Sequence, residues 1–199
     1  MKVILADWAG YSLCYHPKTK HRIFHRSHGL RSVLLGINSS QLNTSFDVVL
    51  VINDAAFNGE YDYLLTEFTF ISIILYRQTN LGFDIGAYDY GYQYLKKQYY
   101  DGPIVFMNSI CVIQNKSWLD DYLESFYLDN STGLYGITFN QYATHLSSVK
   151  KKFNPHIQSY FLLTSMAVLR NVFESHLPGY SSRSKNSTIT HGEIGLSKK

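Results

Sequence analysis

Only two cysteines occur in the 199 residues, Cys14 and Cys111. Their spacing matches no metal-ligand pair and no disulfide framework, and it points to buried thiols in a reducing compartment. Charge is also scarce. Asp, Glu, Lys and Arg together make up 17% of the chain, and the net charge is +3. The basic residues gather at Lys18 to Arg31 and at Lys150-Lys151-Lys152 rather than along one helix. Nothing in that distribution calls for nucleic acid, and what remains is a weak pull toward anionic lipid or a polyanionic substrate. No apolar run is long enough to span a bilayer, and the opening Met-Lys-Val-Ile-Leu-Ala-Asp-Trp is too short for a secretory leader. The expected location is the cytoplasm, with peripheral association at the cytoplasmic membrane face. The Asn-X-Ser/Thr triplets at Asn115 and Asn130 then read as chance. Also missing is a Gly-X-Gly-X-X-Gly turn after the first strand, which sets a dinucleotide oxidoreductase aside.

What the chain has in quantity is aromatic surface, with 17 Tyr and 12 Phe. A Tyr joins an apolar ring to a hydroxyl, which suits pockets for polar, ring-shaped ligands such as sugars and equally suits sheet packing. The length fits one domain with a sizeable core. Its last residues, Thr190 to Lys199, read as the start of a helix. The expectation is one domain of a longer polypeptide, or a chain shortened at its C-terminus.

Hydrophobic patterning divides the sequence. Lys2 to Ala6 reads as a short buried strand, and Asp7 to Ser27 as a surface loop leading into a helix. His16, His21, His25 and His28 cluster there, but their spacings suit no single ligand pair. Leu30, Val33, Leu34, Ile37 and Leu42 recur at helical spacing over Gly29 to Leu42. Asp47 to Ile52 is the unbroken run of a strand covered on both faces. Glu60 to Phe68 reads as a helix and Phe70 to Tyr76 as a strand. Ile85, Tyr88, Tyr92, Leu95 and Tyr99 then mark one face of an amphipathic helix. Pro103 to Met107 is a further strand, and Ser117 to Leu128 a helix with Ser117 as N-cap. Beyond a turn at Asn130 to Gly133, the pattern predicts a strand over Leu134 to Phe139 and a mobile loop over Tyr142 to Asn154. An apolar run follows from His156 to Leu169, then a helix near Asn171 to Leu177 and an irregular stretch over Pro178 to Thr190. Alternating strands and helices predict an α/β sandwich with a mostly parallel sheet.

In such a sheet, right-handed crossovers bring the strand ends to one edge. Those ends carry Asp54, then the stretch Arg77-Gln-Thr-Asn80-Leu-Gly82-Phe-Asp84-Ile-Gly86-Ala-Tyr88, then Asn108 with Ser109. Glycine lets the backbone bend or approach a ligand closely. A helix start offers free N–H groups and a positive dipole end to an anion. Strand, polar glycine-containing turn and helix together build a nucleotide pocket, and the same spacing also serves a capped β–α connection. Asp54 similarly suits a ligand hydroxyl, a base edge or a plain turn.

Five segments then stand in order: Arg77 to Tyr88; Ile104-Val-Phe-Met-Asn108-Ser109; Gly136-Ile-Thr; His156-Ile-Gln158-Ser159-Tyr-Phe161; and Gly192-Glu193-Ile-Gly195-Leu-Ser197. Together they resemble the rhamnan-synthesis protein F family of glycosyltransferases, over roughly residues 45 to 199. The resemblance implies a GT-A fold, a Rossmann-type α/β/α sandwich. It implies transfer of rhamnose or another hexose from a nucleotide-sugar donor to a glycan or glycolipid acceptor, in polysaccharide or glycoprotein glycan synthesis. By analogy, Asp54 contacts the base or ribose, and Arg77, Asn80 and Asp84 line the nucleoside and diphosphate. Gly82 and Gly86 permit close approach, and Gln158 and Ser159 face the donor sugar. Glu193 is the candidate base, with His156 or Asp84 in reserve. Asn108-Ser109-Ile110 stands where an Asp-X-Asp motif would hold Mg²⁺ or Mn²⁺ against the diphosphate. Neither Asp is present. Two alternatives follow: a cation held through Asp84 or His156, or a diphosphate neutralised by Arg or Lys. The rival function is a GT-A-fold module that binds nucleotide or glycan without turnover. The missing motif favours that rival, and the retained Asp84 and Glu193 oppose it.

Overall fold

A computed structural model describes residues 1–10, 29–128, 133–142 and 153–198. The His cluster at 16 to 28, Cys14, most of the turn from Asn130 and most of the loop from Tyr142 lie outside these residues. Eight described strands are β1 (Lys2–Trp8), β2 (Asp47–Asn53), β3 (Ile71–Arg77), β4 (Pro103–Asn108), β5 (Tyr135–Gly136), β6 (Phe139–Tyr142), β7 (Phe153–Ile157) and β8 (Phe161–Ser165). The helices are α1 (Leu30–Asn38), α2 (Tyr63–Glu67), α3 (Phe83–Lys97), α4 (Trp118–Leu128), α5 (Met166–Val172), α6 (Lys185–Thr188) and α7 (Ile194–Ser197). A π-helical turn, Ile189–Glu193, joins the last two.

Six strands form one sheet in the order β3-β2-β1-β4-β8-β5. The first four are parallel, β8 runs antiparallel to β4, and β5 runs antiparallel to β8 and so in the direction of the first four. β6 and β7 pair in a separate antiparallel ribbon. The central strands carry apolar residues on both faces because both faces are covered. Val3, Leu5, Leu50, Val105 and Met107 pack with α1, α2 and α4. Ile4, Ala6, Val51, Ile104 and Phe106 pack with α3, α5 and α7. The result is the expected α/β/α sandwich on a mostly parallel sheet.

The chain leaves β1 toward β2 and β3, then returns to place β4 on the other side. The gap between the β1 and β4 ends is therefore the point where the strand order reverses, the usual ligand crevice of an open α/β sheet. Because β8 is antiparallel, with Phe161 opposite Met107, the residues just before it reach the same edge. No described helix is long and apolar enough to cross a membrane.

Four expectations need correction. β1 continues past Ala6, since Asp7 and Trp8 still pair with Ile52 and Asn53. The single strand over Leu134 to Phe139 is two strands in different sheets. A Cβ at Gly136 would lie 2.1 Å from the Ile157 side chain, so the two segments cross closely only with glycine there. The helix expected near Asn171 to Leu177 is α5, which runs earlier, from Met166 to Val172, because the Ser165 hydroxyl caps it by accepting from Val168 N at 3.2 Å. Finally, part of the Ser-rich stretch is helical: Ser184 caps α6 by accepting from Ser187 N at 3.2 Å.

Candidate active site

The conspicuous stretch after β3 is held mainly by its own chain. Asn53, buried at the end of β2, donates to Asn80 Oδ1 at 3.1 Å and to the Phe83 carbonyl at 3.0 Å. Its own Oδ1 accepts from Arg77 Nη1 at 2.5 Å. Arg77 Nη2 donates to the Leu81 carbonyl at 3.0 Å, and the guanidinium lies 5.9 Å from the Tyr90 ring centroid. These contacts clamp the loop in a tight course, with φ of 73° at Gly82 and 50° at Phe83. The close approach that Gly82 permits is made by the segment before α6, and the one that Gly86 permits chiefly by the loop's own Leu81 carbonyl. A Cβ at Gly82 would sit 2.1 Å from the Tyr180 carbonyl oxygen, and one at Gly86 would sit 2.0 Å from that of Leu81. Gly82 N also donates to the Ser182 carbonyl at 2.8 Å. Asp54 is exposed, has a φ of 53°, and accepts from Trp8 Nε1 at 2.7 Å.

Next to this clamp, α3 begins with Asp84 in its first turn. Asp84 Oδ2 accepts from Asn108 Nδ2 at 2.9 Å, which ties the helix start to the end of β4. Asn108 Oδ1 in turn accepts from Ile110 N at 3.3 Å. Across the edge, Glu193 stands on the π-helical turn with a side chain only 13% exposed. Ser159 Oγ donates to Glu193 Oε1 at 2.7 Å, and His156 Nε2 lies 3.7 Å from Oε2. Two buried polar residues, His156 on β7 and Ser159 in the β7–β8 connection, thus orient one carboxylate. Gln158 joins the neighbouring ribbon through its backbone N–H, which donates to the Thr138 carbonyl at 2.9 Å.

Tyr88 and Tyr160 pack among these acids. Tyr88 OH donates to the Ser159 carbonyl at 2.7 Å. Burial pushes the Tyr88 phenol well up, and the nearby Asp84, Cys111 and Glu193 add to the rise. Tyr160 is raised by burial, then by Glu193 and Asp84. Both phenols are therefore neutral hydrogen-bonding groups at physiological pH. Cys111 is a free thiol, raised to about 12 chiefly by burial. It is not a nucleophile, since thiol chemistry needs the thiolate.

A residue outside the predicted set completes the edge. Asp7, at the end of β1, is 6% exposed. Burial raises it to about 6; the Ser109 side chain and the Trp8 backbone N–H pull it down by hydrogen bonding, and the charge of Asp84 pushes it up. Ser109 is itself buried, and its N–H donates to the Ala6 carbonyl at 3.0 Å. A polar residue directly after a buried apolar run was the signal available for Asp7, the same signal that marks Asn53 and Asp54 at the end of β2.

The structure thus joins Asp84 to Asn108, Ser109 to Asp7, and Ser159 and His156 to Glu193. It places Arg77, Asn80, Gly82 and Gly86 in the clamp. The divalent cation finds no matching donor set: among the described residues no group of three His, Cys, Asp or Glu side chains is placed to hold one. Asp84 is engaged by Asn108, and His156 faces Glu193.

The chain shares its GT-A-type α/β fold with S. aureus TarS, a glycosyltransferase. The two superpose with a TM-score of 0.55 at 14% identity, over 96% of this chain and 32% of that chain. No family model and no curated protein matches the sequence.

Proposed function

We propose that this chain is a glycosyltransferase domain that moves a hexosyl group from a nucleotide-sugar donor to a hydroxyl of a glycan or glycolipid acceptor. The observation that carries this reading is the Glu193 carboxylate, oriented by Ser159 and His156 at the strand-end edge of a GT-A-type sheet. A general base must be positioned before it is tuned, and Glu193 has one oxygen fixed by a short hydrogen bond. In the proposed step, Glu193 takes the proton of the acceptor hydroxyl as that oxygen bonds to the anomeric carbon. The bond from that carbon to the diphosphate oxygen breaks, and its electron pair leaves with the diphosphate. The fifteen-residue α3 starts at this edge, and its N-terminal dipole favours the departing negative charge. The five ordered motifs support a rhamnan-synthesis protein F-like enzyme. The free thiol of Cys111 supports a reducing, cytoplasmic setting.

The rival, a nucleotide- or glycan-binding module without turnover, is favoured by one observation. The described residues assemble no three-ligand cation site where many such enzymes neutralise the leaving diphosphate.

The test is hydrolysis and transfer from a panel of nucleotide sugars, with and without Mn²⁺, by wild type and Glu193→Gln. Turnover that drops about a thousandfold in the variant, with nucleotide affinity retained, is the expected result for a lost general base. Nucleotide binding with no turnover from any donor would establish the rival. A protein that binds no nucleotide would remove both.

A further inference from the structure

Asp7 Oδ1 is buried and has no hydrogen-bond partner. Such atoms are rare, because an unpaired buried acceptor loses its hydration without replacement, and a carboxylate oxygen loses the most. Asp7 also ends β1 at the point where the strand order reverses, beside the end of β4. Two independent observations therefore meet at one atom: an acceptor that lacks a donor, and the crevice where open α/β sheets take ligands. Asp54, the acid expected there, is instead exposed and bonded to Trp8.

Resting on the glycosyltransferase reading, we infer that Asp7 is the nucleoside-recognition residue of this site, and that its free oxygen accepts a neutral hydroxyl or N–H of the donor nucleoside. The surroundings select that chemistry. The Ser109 hydroxyl and the Trp8 N–H already favour the ionised carboxylate, and Asp84 adds negative charge nearby. A phosphate is repelled by these acids, and no third ligand joins Asp7 to hold a cation among the described residues. A neutral donor group, from the ribose or from the base edge, pairs with Oδ1 without adding charge. Two ionisable groups that act on or feel Asp7 are Asp84 from α3 and Tyr61 from the segment before α2. Tyr61 is raised to about 12, so it is neutral where binding would be measured.

Calorimetric titration of the full chain with UDP, GDP, CDP, ADP and dTDP identifies the nucleotide. Its 2′-deoxy, 3′-deoxy and base-N-methyl analogues are then titrated into wild type and Asp7→Asn. For a hydrogen bond to a charged acceptor, the substitution weakens the parent nucleotide about tenfold or more. One analogue loses a similar factor in wild type and loses nothing further in the variant, which is the signature of a shared contact. Coupling to a deoxy analogue assigns the ribose, and coupling to the methylated base assigns the base edge. Wild-type binding with an unchanged affinity in Asp7→Asn overturns the inference and leaves the glycosyltransferase reading standing. A wild type that binds none of the five overturns both. Asp7→Ser serves as the second variant if the amide does not fold. In wild type alone, analogues that all bind as tightly as the parent also overturn the inference.

Discussion

Two regions of the strand-end edge differ in how much hydrogen-bonding capacity they have left. The loop from Arg77 to Gly86 uses its capacity internally. Asn53, Asn80, Arg77 and the Leu81 and Phe83 carbonyls bond one another, the Tyr180 and Leu81 carbonyls fill the space its glycines leave, and the Ser182 carbonyl accepts from Gly82 N. The region formed by Asp7, Ser109, Ser159 and Glu193 is more polar than its partners can satisfy. Asp7 keeps an unmatched oxygen, and Glu193 is oriented without being enclosed. A motif rich in Arg, Asn, Gly and Asp can therefore be a framework that fixes the end of a strand and the start of a helix. The groups left for chemistry then come from neighbouring segments with plainer sequences.

The framework half of this contrast is broken most directly at Gly86. Alanine there gains helix propensity of about 1 kcal/mol. Its Cβ, however, would lie 2.0 Å from the Leu81 carbonyl oxygen and 2.9 Å from that of Tyr180, both backbone atoms. Backbone cannot swing aside as a side-chain tip can, so the collision wins, and the expected net loss is about 3 kcal/mol or more. Urea unfolding of Gly86→Ala measures it. A variant as stable as wild type would mean that the Leu81 and Tyr180 carbonyls do not close on Gly86.

The other half is sharpened by pH. Asp7 is raised to about 6 in the folded protein, against an ordinary carboxylate value in the unfolded chain. Between those values the folded state keeps a proton that the unfolded state has released. Stability from this group is therefore fully present at the acid end, falls as pH rises toward 6, and is flat above. The shift corresponds to about 3 kcal/mol. Other carboxylates titrate in the same window, so the measurement is the difference between wild type and Asp7→Asn from pH 4 to 8. That difference should favour the amide increasingly as pH rises, then level off. A difference that does not change with pH would show that Asp7 is as well solvated in the fold as outside it, and the contrast between the two regions would disappear.

How much of this was legible depends on what each feature rests on. The convergence of strand ends rests on side-chain periodicity and crossover handedness, so Asp54, Asp84, Asn108 and Ser109 could be placed on one edge from the residues alone. Asp7 was lost to a strand end placed two residues early. Ending β1 at Ala6 puts a polar Asp in the loop, although ladder pairing to Ile52 keeps it in the sheet. The resemblance singled out Ser159, His156 and Glu193 separately. Their contact depends on a two-stranded ribbon meeting a π-helical turn that carries Glu193, and no local pattern relates two segments so far apart in the chain. The glycines show the deepest limit. Sequence can say that something comes close to Gly82 and Gly86, and it cannot say whether that is a phosphate or the carbonyl of Tyr180.

Asp54 lies between the two regions and gives the smallest and most discriminating effect. Its φ of 53° is left-handed, and its carboxylate accepts from an indole in an exposed contact. Asp54→Gly relieves the backbone and loses the bond. The two changes are each about 1 kcal/mol or less and oppose each other, so stability should move by no more than about 0.5 kcal/mol. Asp54→Ala loses the bond and keeps the unfavourable φ, and should be less stable by about 1 kcal/mol. Nucleotide affinity then separates the roles. If Asp54 belongs to the framework, the glycine variant binds as wild type does. If it contacts the base or ribose, as the family resemblance implies, both variants weaken binding about tenfold, whatever their stability. The second outcome would move Asp54 out of the framework and make Asp7 and Asp54 joint walls of one nucleoside site.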